Sequence, residues 1–314
     1  MADGSRARKQ RVLFVGLCCL DVISVCECYP GEDEDLPALS QRWQCGGNAA
    51  NQSFVLSQLA PHSIEFFGSI TDGPGAKFAL NTLRESGVNC ANCSMFKGYS
   101  FPSSCVICSL KSGTRTIVHH RGNLPEVSME EFDKLDLKHY DWIQFEARRN
   151  VDQTLAMLEK VDRHNRTNSN QITVAVEIEK KEERLQVLLP KADVIFISKD
   201  FAKHLGYMDS RSALCGLYPQ VRPGAMLICP WGADSADAMN GSGAVLHSNG
   251  YPTPIVRDTL GAGDTFIAGV IDALIKDCSL EECLLLGCKL AGYKCGVDGY
   301  SGLGKYWKQI YTKL

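Results

Sequence analysis

Short apolar runs alternate with helix-length segments along most of the chain. The first run, residues 11–16, is rich in Val, Leu and Phe and ends in glycine, which is typical of a buried strand in a parallel sheet. Further strands are predicted at 64–70, 88–95, 141–145, 172–176, 194–197 and 226–229, and helices at 48–59, 75–86, 152–166, 182–189 and 199–221. This alternation predicts an α/β fold, a layered domain with a mostly parallel central sheet flanked by helices on both faces.

Two less hydrophobic segments do not fit that buried sheet. Residues 22–45 contain two extended pieces that are interrupted at Tyr29-Pro30-Gly31, and residues 103–120 have the pattern of a hairpin around Lys111-Ser112-Gly113. We predict that these segments form a small antiparallel β lid. No internal repeat or long linker is evident, so residues 1–314 are expected to form a single domain that carries this lid.

Composition and charge favour a small-molecule partner. The chain has 314 residues, of which 45% are hydrophobic and 22% charged, and this composition is ordinary for a globular protein. The formal net charge of -3 gives no basic footprint for nucleic acid or an anionic membrane. No apolar run reaches the ~18–20 residues of a membrane-spanning helix, and no secretion signal is recognised. We therefore expect a soluble, cytoplasmic protein.

The 15 cysteines are an odd number and cannot all pair within one chain. Without a secretion signal, they are interpreted as reduced thiols. The spacing of Cys90 with Cys93 and of Cys105 with Cys108 also matches a zinc site. However, residues three apart on a strand point to opposite faces, which favours thiols packed on strands.

The segment 258–271 carries the most informative motif. Gly261, Ala262 and Gly263 precede Asp264, and a helix-compatible apolar run follows. Free N–H groups and the dipole at a helix N-terminus favour an anion, and glycine lets a phosphate approach the backbone. Asp264 would be stabilised there as a carboxylate and could take a proton from an attacking hydroxyl. The alternative is that Asp264 only caps the helix.

A second polar cluster lies near the start of the chain. Asp21 follows the first strand, and a double glycine at Gly46-Gly47 precedes Asn48 and Asn51. Aspartate accepts hydrogen bonds and asparagine both donates and accepts them, so together they could bind several hydroxyls of a polyol. A turn followed by a helix cap is the alternative interpretation of this cluster.

Together the clusters resemble the paired signatures of the ribokinase/PfkB carbohydrate kinase family, G-G-x-x-x-N near the start and D-T-x-G-A-G-D near the end. The order of the two motifs along the chain and the distance between them also match the family pattern. The resemblance covers nearly the whole chain and is greatest to the fructose-phosphorylating members. It is also carried by residues 16–24, 39–44, 142–148, 198–200, 202–206 and 291–296.

The resemblance implies a ribokinase-like fold and ATP-dependent phosphorylation of the 1-hydroxyl of D-fructose, giving fructose 1-phosphate and ADP. It also implies a homodimer held through the β lid. The catalytic positions are Asp264, Gly261, Ala262, Gly263 and Arg115. The substrate positions are Asp21, Gly47, Asn48, Asn51, Arg148 and the partner subunit's Asp33. The nucleotide positions are Lys199, Trp231, Gly232, Ala233, Asp234 and Ser235, together with Gly261 and Gly263.

The implied cofactor is Mg²⁺ bound to ATP, with a monovalent cation as a further candidate. The N-x-x-E metal motif of the wider family is not recognisable; residues 198–201 stand in its place, and Glu177 and Glu179 are candidate substitutes. Three positions depart from the fructose-phosphorylating pattern. Ser235 stands where glycine is usual, Arg149 where asparagine is usual, and Cys45 where a basic residue is usual.

Rival interpretations remain open at the level of sequence. The shared signatures determine chemistry better than substrate, so a kinase for ribose, adenosine or another polyol is one alternative. A catalytically silent sugar- or nucleotide-binding paralogue is another, although the intact Asp264 and glycine run argue against silence. An NAD-binding enzyme is disfavoured because no G-x-G-x-x-G follows the first strand.

Overall fold

A computed structural model describes residues 9–313. Its large sheet has eight strands in the order β14-β13-β12-β11-β10-β9-β1-β4. The strands are β1 Arg11–Val15, β4 Ser63–Phe67, β9 Trp142–Glu146, β10 Thr173–Ile178, β11 Val194–Ile197, β12 Met226–Pro230, β13 Ser235–Met239 and β14 Val245–Asn249. The six strands from β4 to β12 are parallel to their neighbours, while β13 and β14 extend the sheet in antiparallel fashion.

A smaller sheet lies beside the first one in the order β3-β2-β7-β8. Its strands are β2 Cys19–Cys26, β3 Ser40–Gly46, β7 Ser103–Ser109 and β8 Thr114–His120; β5 Ser69–Ile70 and β6 Ser94–Met95 form a separate short pair. The smaller sheet is built from the two segments predicted for it. The β3–β2 and β7–β8 pairs are antiparallel as predicted, but the central β2–β7 pair is parallel, because β2 and β7 are not joined by a hairpin.

Helices cover both faces of the large sheet. They are α1 Asn48–Leu59, α2 Pro74–Glu85, α3 Met129–Asp133, α4 Val151–Thr167, α5 Lys199–His204, α6 Ser210–Leu217, α7 Ala262–Ile275, α8 Leu280–Cys295 and α9 Leu303–Tyr311, with 3₁₀ turns at Leu137–His139, Glu183–Lys191 and Tyr218–Gln220. Side chains of β1 alternate between two cores: Val12 and Phe14 pack under α1, α7 and α8, whereas Leu13 and Val15 pack under α4 and α6.

Several predicted elements differ in the structure. The predicted strand 88–95 is wrong apart from Ser94–Met95, and the predicted helix 182–189 is a 3₁₀ turn that contains Pro190. The predicted helix 199–221 is interrupted near Gly206, whose φ of 92° lies in the left-handed region. All 15 cysteines are free thiols. Within residues 9–313, no helix combines the length and apolar character needed to cross a bilayer.

Helix α7 is anchored near its C-terminal end by Asp272, which is fully buried. Asp272 Oδ2 accepts hydrogen bonds from Lys276 Nζ at 2.5 Å and from Trp307 Nε1 at 2.5 Å, and its Oδ1 lies 2.8 Å from His62 Nε2. These contacts connect α7 to α9 and to the segment between α1 and β4. They hold the helix whose N-terminus carries Asp264.

Replacing Asp272 with alanine would leave the buried partners on three segments without their carboxylate. We expect Asp272→Ala to lower the free energy of unfolding by about 3 kcal/mol or more, as for other broken buried ion pairs. Urea denaturation followed by far-UV circular dichroism measures this loss.

The matched control is Asp162→Ala, which removes an exposed ion pair with Arg166 at the same helical spacing of four residues. A loss below about 1 kcal/mol is expected there, because exposed ion pairs contribute little. Equal losses in the two variants would contradict the anchoring role of Asp272.

Candidate active site

Polar side chains converge at the carboxyl ends of the parallel strands. A cavity of about 350 Å³ opens there between the large sheet, the smaller sheet and the start of α7. Residues within two positions of the ends of β1, β10 and β11 line it, namely Leu17, Glu179 and Ser198. Parallel α/β sheets bind ligands at this edge because the loops leave it open. The predicted residues lining this cavity are Asp21, Gly47, Asn48, Asn51, Arg115, Arg148, Glu177, Glu179, Gly261, Gly263 and Asp264.

The start of α7 has the geometry of an anion site. Gly261 immediately precedes the helix with a φ of 75°, and a Cβ at this position would lie 2.1 Å from the hydroxyl of Tyr300. A Cβ on Gly263 would meet nothing within 4 Å, so the backbone is open on that side. The first N–H groups of a helix lack acceptors within it. The residues present therefore fit a phosphate group at Gly263.

Asp264 lies at the back of this site and is buried. Its Oδ2 accepts a hydrogen bond of 2.9 Å from Asn51 Nδ2, and its Oδ1 accepts one of 3.3 Å from Gln52 Nε2. Burial raises the pKa of Asp264 to about 7; the two amides oppose this, and the charges of Glu179 and Glu146 add to it. A carboxylate stabilised by the helix N-terminus was expected at Asp264, but the cost of desolvation is larger than that stabilisation here.

Three glutamates on adjacent strand ends surround Asp264, and Glu146 was not predicted as a site residue. Glu146 Oε2 accepts hydrogen bonds from the backbone N–H groups of Leu17 (2.9 Å) and Ala49 (3.1 Å), and its Oε1 accepts one of 2.7 Å from Arg148. Burial raises the pKa of Glu146, but Arg148, Lys180 and those N–H groups outweigh it, so the pKa lies below its ordinary value. Glu146 is therefore a fixed negative charge.

The pKa of Glu177 is shifted in the opposite direction from that of Glu146. Its carboxylate accepts hydrogen bonds from Gln52 (2.7 Å) and Asn48 (2.9 Å), with no cation bound to it among the described side chains. Burial raises the pKa of Glu177 well above its ordinary value, and the nearby charges of Asp264 and Glu179 raise it further. Asn48 also donates to Glu179 at 3.1 Å. The predicted polyol residue Asn48 thus connects both candidate metal ligands.

On the smaller sheet, Asp21 forms one wall of the cavity. Burial raises the pKa of Asp21, while the Ser104 hydroxyl and the Cys19 thiol oppose this. A Cβ on Gly46 would lie 2.3 Å from Asp21 Oδ2. Gly47 has a φ of 97°, and a Cβ there would lie 2.3 Å from the carbonyl oxygen of Leu17. Gly46 is therefore required by the adjacent Asp21 side chain, and Gly47 by its positive φ and the close approach of the Leu17 backbone.

A second cavity, of about 450 Å³, lies on the other side of the α7 start. It is lined by the predicted nucleotide residues Lys199, Gly232, Ala233 and Ser235, and by Ala262. The two cavities share five lining residues: Arg115, Glu179, Ser198, Pro230 and Gly263. Arg115 Nη1 donates to Thr259 Oγ1 at 2.7 Å, which holds the β8 side chain against the loop before α7. The cavities therefore meet at the candidate phosphate site.

Some predicted residues lie outside both cavities. Asp33 is exposed in the loop between β2 and β3 and has a φ of 62°. Trp231 is buried, with Lys199 Nζ 5.4 Å from its ring centroid, and Asp234 lies 3.8 Å from the same ammonium group. Arg149 is exposed beyond β9, whereas Cys45 is buried 3.8 Å from the Cys18 thiol. Trp231 and Asp234 therefore support Lys199 from behind the nucleotide loop.

The loop before α7 is held by Asp258, which the sequence analysis did not assign. Asp258 Oδ2 pairs with Lys294 and Arg42, both at 3.0 Å, and Oδ1 accepts the Leu260 N–H at 2.9 Å. Lys294 is fully buried and also donates to the Asp258 carbonyl at 2.7 Å. Asp258 thereby joins α8, β3 and the glycine loop. Only the tertiary fold brings these distant residues together.

A direct metal cage is not formed by the protein alone. Among residues 9–313, no group of three or more His, Cys, Asp or Glu side chains is arranged to hold a metal ion. Glu177 and Glu179 nevertheless lie on one strand end, and Glu179 borders both cavities. Magnesium characteristically keeps several waters and takes only one or two carboxylates. These two residues fit that mode of binding.

Comparisons with known proteins agree with the geometry. The family model described as pfkB family carbohydrate kinase matches residues 9–302. Ketohexokinase of Mus musculus is 43% identical over 297 residues, which cover 94% of this chain and 99% of that protein. Ribokinase of Giardia lamblia superposes with a TM-score of 0.79 at 16% identity, covering 97% of this chain and 100% of that one. Arabidopsis thaliana ribokinase complexed with ribose and ATP superposes with a TM-score of 0.75 at 18% identity, covering 96% of this chain and 98% of that one. The predicted ribokinase-like fold is confirmed.

The buried carboxyl of Asp264 has a consequence for stability. Because burial raises its pKa from the ordinary value of 3.8 to about 7, the folded state binds the proton more tightly than the unfolded state. The contribution of Asp264 to stability therefore falls as the pH rises from about 4 to about 7. We expect Asp264→Asn to increase the free energy of unfolding at about pH 8 by the order of 2 kcal/mol.

Urea denaturation at about pH 8 and about pH 5 measures this effect, and the gain should shrink at the lower pH. Asp162→Asn, at an exposed position, is the control and should show no such pH-dependent gain. An Asp264→Asn variant less stable than the wild type at about pH 8 would refute the desolvation argument.

Proposed function

Since the chain belongs to the pfkB family of carbohydrate kinases, a family of phosphotransferases with alcohol acceptors, we propose that it transfers the γ-phosphoryl group of ATP to the 1-hydroxyl of D-fructose. The products are fructose 1-phosphate and ADP. The observation that carries this proposal is the meeting of two cavities at Gly263, with Asp264 directly behind it. The 43% identity to a ketohexokinase supports fructose as the acceptor.

Asp264 is the proposed base. The oxygen of the 1-hydroxyl forms the new bond to phosphorus, the bond to the ADP oxygen breaks, and the hydroxyl proton passes to an Asp264 carboxylate oxygen. A pKa of about 7 leaves a large ionised fraction near neutral pH while keeping the carboxylate basic. Asn51 and Gln52, which donate to the two carboxylate oxygens, orient it.

Charge that develops on the transferred phosphoryl group is stabilised at the α7 start. The N–H groups around Gly261 and Gly263 would donate to it, and one such donor is worth roughly 3 kcal/mol in transition-state stabilisation. Among the described residues, Arg115 is the cationic side chain that lines both cavities. Phosphoryl transfer needs mainly positioning and charge stabilisation, and these groups supply both.

On the sugar side, Asp21, Gly47, Asn48 and Asn51 are the proposed hydroxyl partners. Arg148 is already held by Glu126 at 2.8 Å and Glu146 at 2.7 Å, so its proposed role is to form the charged wall of the cavity. On the nucleotide side, the larger cavity is lined by Lys199, Gly232, Ala233 and Ser235. Ser235 lines that cavity without closing it.

Glu177 and Glu179 would hold Mg²⁺ through water, and the ion, when bound, neutralises phosphate charge. Burial raises the pKa of Glu177 and so disfavours its charged form, and Glu179 borders both cavities, so Glu179 is the proposed closer ligand. A monovalent cation is proposed as a further cofactor by family resemblance. No step above depends on either ion.

The smaller sheet is the proposed dimer interface and lid. Strand β8 is exposed along its whole length and presents Ile117 and Val118 to solvent. An exposed edge strand with large apolar side chains is a favourable surface for pairing with a second sheet. In such a homodimer, the partner subunit's Asp33 would reach the sugar cavity. We place the enzyme in the cytoplasm.

The proposed function is tested by ADP release. We expect the purified protein to release ADP from ATP and Mg²⁺ when D-fructose is present and not when it is absent. Asp264→Asn should lower kcat by about 10²- to 10⁴-fold, since general bases contribute that range, while both ligands still bind. A coupled ADP assay and isothermal titration calorimetry measure the two effects.

Asp162→Asn, which changes an exposed carboxylate, is the matched control and should retain turnover. Ribose, tagatose, xylulose and adenosine should be tested beside fructose, because the departures at Cys45 and Arg149 lie toward the sugar side of the sequence pattern. Near-normal kcat in Asp264→Asn would remove Asp264 as the base. Preference for ribose or adenosine would refute the assignment of fructose as the acceptor but would leave the proposed phosphoryl transfer intact.

Asn48→Ala tests the sugar side separately. Asn48 lines the proposed sugar cavity of about 350 Å³ and is absent from the wall of the nucleotide cavity of about 450 Å³. We expect its loss to raise the dissociation constant of fructose about tenfold and that of ATP much less, because one to two buried hydrogen bonds are lost. Asn81→Ala, on the exposed side of α2, is the matched control. Equal weakening of both ligands would contradict the assignment.

A further inference from the structure

Three strands of the smaller sheet place a row of polar side chains along the proposed sugar cavity. Asp21 on β2 lies opposite Ser104 on β7, and Ser104 lies opposite His119 on β8. Residues directly opposite each other on neighbouring strands project from the same face of a sheet. All three residues line the cavity of about 350 Å³. Asp21 is a proposed sugar ligand, whereas the proposed reaction uses neither Ser104 nor His119.

The alternation of side chains along β8 shows which way His119 points. Arg115, Ile117 and His119 line the cavity, and the residues between them do not. This period of two is that of a strand with one face on the cavity. His119 therefore faces the cavity, and its neighbour His120 lies on the opposite face of the strand.

Hydrogen bonds connect the row and determine which ring nitrogen of His119 carries a hydrogen. The Ser104 hydroxyl donates to the Asp21 carboxylate and opposes the rise in its pKa. His119 Nδ1 lies 3.2 Å from Ser104 Oγ. A hydroxyl has one hydrogen, so Ser104 accepts from His119 while it donates to Asp21. Nδ1 is therefore the nitrogen that carries the hydrogen.

The other ring nitrogen, Nε2, is left for a ligand. Among residues 9–313 it has no hydrogen-bond partner. Burial lowers the pKa of His119, the charges of Arg148, Lys180 and His120 lower it further, and Glu146 opposes them. The ring is therefore uncharged at neutral pH. In an uncharged ring whose Nδ1 carries the hydrogen, Nε2 is an acceptor.

An acceptor at this position complements a hydroxylated ligand. The neighbouring cations are committed to carboxylates of the protein, Arg148 to Glu126 and Glu146, and Lys180 to Glu179. A sugar hydroxyl has one hydrogen to donate and needs an acceptor for it. An analogue without that hydroxyl would leave the acceptor unpaired, so such a contact discriminates between sugars.

We propose that His119 is a sugar-binding and specificity-determining residue, whose Nε2 accepts a hydrogen bond from one hydroxyl of the acceptor sugar. Its Nδ1 also positions Asp21 through Ser104. The role rests on the proposed function, because it adds a contact within the same sugar cavity. One hydrogen-bond chain thus holds two sugar contacts, Asp21 and His119, on neighbouring positions of the smaller sheet.

Replacing His119 with leucine removes both ring nitrogens and keeps a side chain of similar bulk. We expect His119→Leu to raise the dissociation constant of fructose about tenfold, because one to two hydrogen bonds are lost. The dissociation constant of ATP should change much less, since His119 is absent from the wall of the nucleotide cavity. The loss should appear in KM more than in kcat, because the contact exists before phosphoryl transfer as well as during it. Isothermal titration calorimetry and the coupled ADP assay measure these effects.

His120→Leu is the matched control. It makes the same change one residue along β8, on the face that does not line the cavity. Both dissociation constants should stay at their wild-type values.

Deoxy analogues separate a direct contact from a structural role. The 3-deoxy, 4-deoxy and 6-deoxy analogues of D-fructose and 2,5-anhydro-D-mannitol each lack one hydroxyl other than the reacting one. For the analogue that lacks the hydroxyl bound by Nε2, the loss caused by His119→Leu should shrink to less than about threefold. For the other three it should stay near tenfold, because the contact is still lost.

Ser104→Ala interrupts the chain without changing His119, and it keeps the test valid if His119→Leu folds poorly. Ser104 is 4% exposed and loses only its hydroxyl. We expect the dissociation constant of fructose to rise about three- to tenfold. Ser103→Ala, on the adjacent residue of β7 that does not line the cavity, is its control.

Two results would overturn the role of His119. One is equal fructose affinity in the wild type and His119→Leu. The other is an equal loss for fructose and all four analogues, which would mean that His119 shapes the cavity without binding a hydroxyl.

Failure of the proposed function has a different signature. A wild-type protein that phosphorylates ribose or adenosine but not fructose would refute fructose alone, and the same variants would be compared with that acceptor. A wild-type protein that binds none of these acceptors would overturn both proposals.

Discussion

The start of α7 must bury a carboxylate and leave an anion site open within four residues. Gly261 provides the left-handed turn, and Gly263 presents backbone without a side chain. Asp264, one residue later, is desolvated by the same close packing. A helix N-terminus would by itself favour the ionised carboxylate, but its field is smaller than the cost of burial at this position. The result is a carboxyl group with a pKa of about 7, and the rest of the site is arranged around that group.

The position of Asp264 requires α7 to be fixed at both ends. Asp272 connects its C-terminal part to Lys276 and Trp307, and Asp258 connects the loop before it to Lys294 and Arg42. Each anchor is a buried carboxylate paired with a cation, and it has at least one hydrogen-bond partner on another segment. Such burial is costly unless all partners are satisfied. The two anchors therefore make the position of Asp264 depend on α8, α9 and the smaller sheet together.

Local sequence was sufficient to predict the features of the site that are formed by residues adjacent in the chain. The glycines before Asp264 and the double glycine before Asn48 each encode a turn at a helix start, and both were recognised with their candidate chemistry. Glu146, Gln52 and Lys294 could not be found in that way, because their roles arise from contacts across more than a hundred residues or from burial alone. Strands β13 and β14 were missed since Ala, Ser, Asp and His residues interrupt the apolar pattern that marks the parallel strands.

Asn51 shows how the proposed base depends on the orientation of a single neighbouring amide. An amide has one donor side and one acceptor side, and here the donor side is committed to Asp264 while the acceptor has no partner among the described residues. If the amide rotated to satisfy its oxygen elsewhere, it would present an acceptor to the Asp264 carboxylate and destabilise the ionised base. The orientation of Asn51 that the proposed proton transfer needs is therefore the one in which Nδ2 donates to Asp264.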